Sequence, residues 1–186
     1  MKYIIVVFSL FSCISFHSCS GTRASGTATV SAKNISFLPP GRSAKSILSH
    51  NINTKNVDPD LLVDFAETLV GTKYKYGSAN KDQGFDCSGL ITYVFTNFKI
   101  WVPRSSIDFT NSGVKINLES ARRGDLILFT GTDTKGWIVG HMGIITSNEK
   151  GIVKFIHSSS GKNVGVIISL MNKYYSTRLV KVIRVF

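Results

Sequence analysis

Cysteine is scarce in this 186-residue chain: Cys13, Cys19 and Cys87 are the only three, and no Cys-x-x-Cys pair occurs. The missing pair argues against a structural zinc motif. Long apolar runs are also lacking. Tyr3 to Phe16 is the nearest approach, broken by Ser9, Ser12, Cys13 and Ser15, and it falls short of the ~20 residues a spanning helix needs. Acidic residues are absent from Ser20 to Asn56, where Arg23, Lys33, Arg42, Lys45 and Lys55 stand unopposed. About half of the net charge of +11 therefore sits in that stretch. Internal repeats and aromatic–basic interleaving are missing too, so neither a repeat architecture nor a nucleic-acid partner is expected.

What is present begins with an export signal. Lys2 precedes the apolar run, which ends at Phe16-His17-Ser18-Cys19-Ser20-Gly21. A small residue directly before a cysteine at this point marks a bacterial lipoprotein signal. Residues 1–18 are expected to be removed and Cys19 acylated, with Cys13 as the competing site and a plain cleaved signal as the unlipidated alternative. Residues 19–56, rich in Ser, Gly, Asn and Lys and containing Pro39-Pro40-Gly41, read as a flexible basic tether with a short strand near Ile35–Leu38. Beside a lipid anchor such a tether favours anionic headgroups or the anionic wall, although a solvated linker explains its charge equally well.

Residues 57–186 form the expected domain. Asp58 and Pro59 start a helix whose apolar stripe is Leu61, Leu62, Phe65, Ala66, Leu69 and Val70, ending at Gly71. A second helix starts at Asp86-Cys87-Ser88-Gly89 and buries Leu90, Ile91, Val94, Phe95 and Phe98; a third, short one follows Pro103 over Ser105 to Asn111. Then the period changes. Leu126–Thr130, His141–Ser147, Ile152–Ser158, Val164–Leu170 and Leu179–Phe186 are β-like runs. Helices first and strands second give an α+β domain in which N-terminal helices pack on an antiparallel sheet of five to six strands.

Once the signal is gone, Cys87 is the one cysteine of the domain, and an unpaired thiol in an oxidising compartment is either buried as a small hydrophobe or used chemically. Asp86 and Ser88 beside it favour chemistry. In the first turn of a helix, backbone N–H groups and the macrodipole stabilise a thiolate. Gly89 would let substrate backbone approach. A thiolate needs a base, and the domain has two histidines, His141 and His157. If their runs pair as a hairpin through Asn148-Glu149-Lys150-Gly151, residues whose numbers sum to about 298 face each other, and His141 meets His157. A one-residue slip would separate them onto opposite faces, and a bulge at Gly151 could decide it. Together they suit a relay in which the first ring pairs with the thiolate and the second fixes its tautomer. A metal site of Cys87, His141 and His157 is the alternative; it lacks motif spacing and a fourth ligand, so neither metal nor cofactor is expected.

Tyr74-Lys75-Tyr76-Gly77 followed by Gly84-Phe85-Asp86-Cys87-Ser88-Gly89-Leu90 resembles the signature of the NlpC-type cell-wall cysteine peptidases. Pro103-Arg104-Ser105, Arg123-Gly124-Asp125-Leu126, His141-Met142-Gly143-Ile144 and Phe155-Ile156-His157 resemble its later motifs, in order. The resemblance implies a papain-like fold with Cys87 as nucleophile, His141 as base and His157 orienting it. It implies an oxyanion site from the Cys87 N–H and Tyr74, and substrate contacts from Asp86, Ser88, Arg104 and Ser105, of which Asp86 and Ser105 could equally be helix caps. The implied activity is hydrolysis of peptidoglycan stem peptides, at γ-D-glutamyl–diamino acid bonds or D-alanyl–diaminopimelate cross-links, by a monomeric protein lipid-anchored on the periplasmic face of the outer membrane or in the cell envelope. A wall amidase, a lipid acyltransferase or hydrolase, and a non-catalytic wall-binding lipoprotein are the competing readings. Two departures stand out: Gly77 is followed by Ser78 where the family commonly has a second glycine, and the stretch from Tyr74 to Cys87 is one residue longer.

Overall fold

Asp58 caps the first helix, its carboxylate accepting from the Asp60 N–H at 2.9 Å, and α1 runs Pro59–Glu67. The computed structural model describes residues 51–132, 136–161 and 165–186, which fall in one compact unit, Ser43–Phe186. The signal, Cys13, Cys19, the Ile35–Leu38 segment and most of the tether lie outside the described residues. Within α1 the buried positions are Leu62, Val63 and Ala66, with Leu69 following the helix, while Leu61 and Val70 are exposed. The expected stripe is thus rotated: Val63 replaces Leu61, because the helix is fixed by its neighbour α2 (Cys87–Asn97) through Phe65, which packs on Tyr93 and Phe98.

Between them, β1 (Ala79–Asn80) and β2 (Gly84–Phe85) make a small antiparallel hairpin. The segment after Pro103 forms the expected short helix, Ser106–Asn111, with 3-10 geometry. The main sheet holds β3 (Val114–Ile116), β4 (Leu126–Thr130), β5 (Val139–Glu149), β6 (Ile152–Ser159), β7 (Gly165–Leu170) and β8 (Leu179–Arg184), with α3 (Lys173–Ser176) before the last. Strand order is β3-β8-β4-β5-β6-β7, antiparallel throughout. The expected α+β layering holds, and the short edge strand β3 is an addition to it.

Both sheet faces are covered. Leu126, Leu128, Met142, Ile144 and Ile156 pack against the helices, whereas Ile127, Phe129, Ile145, Val153, Phe155 and Val182 form a second cluster on the far face. β4 is consequently buried at every position, as a central strand between two apolar layers must be.

The β5–β6 register differs from the expected one. Glu149 pairs Ile152, leaving Lys150-Gly151 as a two-residue turn with both φ angles positive, 53° and 80°. The extra residue lies at Thr146, between the pairs Ile145–Phe155 and Ser147–Lys154, and not at Gly151. Beyond it, paired numbers sum to 300, as in Ile144–Ile156. Arg123 holds the bulge, donating to the Thr146 carbonyl at 2.9 Å while pairing with Asp64 and Glu67 of α1.

At the end of β8, Arg184 grips the buried Asp125 with two bonds of 2.8 and 2.7 Å, and Asp125 also accepts from the Arg122 N–H at 2.7 Å. Arg184→Met would strand that carboxylate in a dry environment. A loss of about 3 kcal/mol in unfolding free energy is expected from urea titration; a loss below ~0.5 kcal/mol would reduce the pair to an ordinary surface bridge.

Candidate active site

The even sum of 300 places Gly143 opposite His157 and leaves His141 one diagonal step away on the same face. His141 Nε2 lies 2.9 Å from His157 Nδ1, the rings crossing at 86°. The two imidazoles therefore meet as expected, by a diagonal instead of a direct pairing. Gly143 makes room for it: a Cβ there would come within 2.6 Å of the Ile156 carbonyl and 3.1 Å of the His157 Cβ. The histidines lie on the far face of the sheet, where Phe129 packs on His141 and Phe155 on His157.

His157 is fully buried and bonded at both nitrogens. Its Nε2 is 2.9 Å from Ser169 Oγ on β7 and 3.3 Å from the Tyr175 hydroxyl on α3. The partners accommodate a consistent tautomer chain. If His141 keeps Nδ1 free as a base, its Nε2–H donates to His157 Nδ1, and His157 Nε2–H donates to Ser169 and Tyr175. Ser169 and Tyr175 escape sequence reasoning because β7 and α3 reach the site only through tertiary packing.

Cys87 opens α2, with Asp86 as N-cap accepting from the Gly89 N–H at 2.5 Å. The sulfur is half-buried, 3.9 Å from the Gly140 carbonyl. Burial first, then the Asp86 carboxylate, raise the thiol pKa; the N–H groups of Ser88, Met142 and Cys87 oppose this without reversing it. Burial thus works against the anion-favouring dipoles that the helix start supplies. Both rings are neutral as well. Burial, then Arg178, lowers His141 to about 4, and burial, then His141, lowers His157 to about 3.

The sulfur stands where two clefts join. One, about 420 Å³, is lined by Tyr74, Tyr76, Asp86, Ser88, Arg104 and Ser105; the other, about 660 Å³, by His141, His157, Phe129, Tyr174, Tyr175 and Arg178, and Cys87 borders both. In the first, Asp86 binds Arg104 through bonds of 2.7 and 3.0 Å, and Arg104 reaches Ser88 Oγ at 3.0 Å. Asp86 is thereby a cap and an ion-pair partner at once, while Ser105 makes no capping bond and stays exposed. Tyr74 keeps its phenol proton, since burial and the nearby Cys87 and Asp86 raise its pKa, so its hydroxyl remains a donor. Gly89 serves the chain itself and not a substrate: a Cβ there would sit 2.0 Å from the Ser78 carbonyl. Among the described residues no group of three or more His, Cys, Asp or Glu side chains is placed to hold a metal ion.

Residues 71–184 match the NlpC/P60 family, and the chain belongs to that family. Its α+β, papain-like architecture is the one solved for relatives. A lipoprotein-like NLP/P60 family protein of Staphylococcus aureus superposes with a TM-score of 0.57 at 31% identity, over 69% of this chain and 41% of that one. The murein DD-endopeptidase MepS/murein LD-carboxypeptidase of Escherichia coli K12 is 32% identical over 155 residues, 83% of this chain and 71% of that protein. The gamma-DL-glutamyl hydrolase of Bacillus subtilis is 32% identical over 117 residues, 63% of this chain but only 27% of its own length.

Two buried neutral histidines link stability to pH. In the unfolded chain each takes up a proton near pH 6.5, whereas the folded state resists protonation down to about 4 and 3. The unfolded state binds more protons in that window, so stability is full above pH ~6.5 and is lost as pH falls toward 3. Thermal melts from pH 7 to pH 4 should show this decline, and His157→Asn should show less of it; parallel declines would mean that His157 does not carry the linkage.

Proposed function

We propose that this protein is a cysteine endopeptidase of the cell envelope that hydrolyses peptide bonds in peptidoglycan stems, with Cys87 as nucleophile, His141 as base and His157 as the residue that orients it. The observation that carries this reading is one sulfur at the junction of two clefts, bordering the same cavity as a pair of hydrogen-bonded imidazoles. The names of the relatives support the substrate class. A peptide laid across the junction places its scissile carbonyl over Cys87.

As Sγ attacks the carbonyl carbon, its proton passes to His141 Nδ1, the one ring nitrogen of His141 not committed to His157. The tetrahedral oxyanion takes hydrogen bonds from the Cys87 N–H and the Tyr74 hydroxyl. Collapse breaks the C–N bond, His141 returns the proton to the departing amine, and a thioester remains. Water then attacks with its proton going to His141, the C–S bond breaks, and the thiol is restored. His157, held by Ser169 and Tyr175, keeps the Nε2–H of His141 engaged throughout. Asp86, Ser88, Arg104 and Ser105 border the cleft away from the histidines and contact the acyl-side residues of the stem. The choice between the two stem bonds is left open by this assignment.

Cys87→Ala is expected to abolish release of peptide fragments from purified sacculi, measured by chromatography of soluble muropeptides; turnover equal to the parent would remove the nucleophile assignment. The protein acts outside the cytoplasm, and residues 1–18 are read as a lipoprotein signal with acylation at Cys19 in preference to Cys13. None of the described helices is long and apolar enough to cross a membrane. Metabolic labelling with radioactive palmitate should mark the parent protein and not Cys19→Ser; continued labelling of the variant would shift the anchor to Cys13.

A further inference from the structure

A cation stands in the histidine-side cleft with no task in the reaction just described. Arg178 lies between α3 and β8 and borders the 660 Å³ cavity together with Cys87 and His141. Its guanidinium is held in place from several directions. It donates to the Tyr174 hydroxyl at 2.9 Å, to the Gly131 carbonyl and, at 3.4 Å, to the Thr130 carbonyl, and it stacks 5.0 Å over the Tyr174 ring. These partners are neutral, so they aim the group without cancelling its charge. The charge reaches the reacting centre: it is the second cause, after burial, of the depressed pKa of His141.

The side of the cleft identifies what the cation meets. His141 must hand its proton to the departing amine, so the residue carrying that amine lies on the histidine side of Cys87, in the cavity with Arg178. A fixed guanidinium in a concave site is matched by a carboxylate. Resting on the peptidase reading above, we infer that Arg178 binds a free carboxylate on the leaving residue, making this enzyme selective for stems whose diamino acid is unamidated. Occupancy would also offset the cationic field that disfavours the protonated form of His141, so the correct substrate would aid its own proton transfer.

The test uses the full-length protein and two muropeptides that differ only in whether the leaving residue's carboxyl is free or amidated. The parent enzyme should favour the free acid in kcat/KM by about 30-fold, the range of a charge-assisted hydrogen bond. Arg178→Gln should lose that preference by slowing on the acid alone. Equal rates of the parent on both peptides, or preserved discrimination in Arg178→Gln, would overturn the assignment. Cleavage of neither peptide would remove the peptidase reading, and this one with it. A second readout needs no turnover and no intact substrate: the rate of Cys87 alkylation by iodoacetate relative to neutral iodoacetamide. The ratio should drop severalfold in Arg178→Gln and stay unchanged in Lys115→Gln, an equal loss of charge on the exposed far edge strand. A ratio unaltered by Arg178→Gln would mean that the guanidinium does not act on anions at the sulfur.

Discussion

Whether two side chains of a hairpin share a face is a question of parity, and here one bulged residue settles it. The Lys150-Gly151 turn starts β5 and β6 on an odd count, in which odd-numbered residues of one strand align with even-numbered residues of the other. Continued to the site, that count would send His141 and His157 to opposite sides of the sheet. Thr146 restores an even count, and its carbonyl is held by Arg123, which is itself anchored to α1. The helix that opens the domain thus reaches the imidazole pair through one arginine and one bulge. Without that offset the two imidazoles would not meet.

The sulfur and the two rings are each pushed toward their uncharged forms. The thiol is held up by burial and by Asp86, and both rings are held down by burial. Such a site trades a standing nucleophile for a dry one. The donors that would stabilise an anion, the N–H groups at the start of α2 and from Met142, are already aimed at the sulfur, so little reorganisation is needed when charge develops during attack.

The strands and the helix carrying Cys87 were legible because their signals are local. An alternating or continuous apolar run marks each of the five strands from β4 to β8, and Asp86 before Cys87-Ser88-Gly89 marks the helix start. The meeting of the histidines was legible only in its parity: the expected sum of 298 and the actual 300 are both even, so the conclusion survived an error in the turn. Elements decided by packing were not legible. β3 is three residues long with Val114 exposed, and its pairing with β8 supplies what its sequence does not. Leu61 belongs by period to the apolar stripe of α1, yet the orientation of that helix on α2 turns it outward. Ser169, Tyr175 and Arg178 are ordinary residues in the sequence, and they reach the histidines because β7 pairs with β6 and α3 brings Tyr175 onto the far face of the sheet.

The two clefts differ in how their arginines are balanced, and this gives the site a direction. Arg104 is paired with Asp86, so the wall it shares with Ser88 is close to neutral despite its polarity. Arg178 is held by carbonyls and a phenol, so its charge is undiminished by its described partners. On the proposed assignment, a peptide crossing Cys87 meets a compensated wall on one side and, on the other, a cation with no acidic partner among the described residues. Reversing the chain would place its anionic groups against Asp86 and leave Arg178 unmatched. If His141 delivers the proton as proposed, the electrostatic asymmetry and the direction of catalysis coincide, and the same fold that brings the imidazoles together would also set which end of the substrate departs.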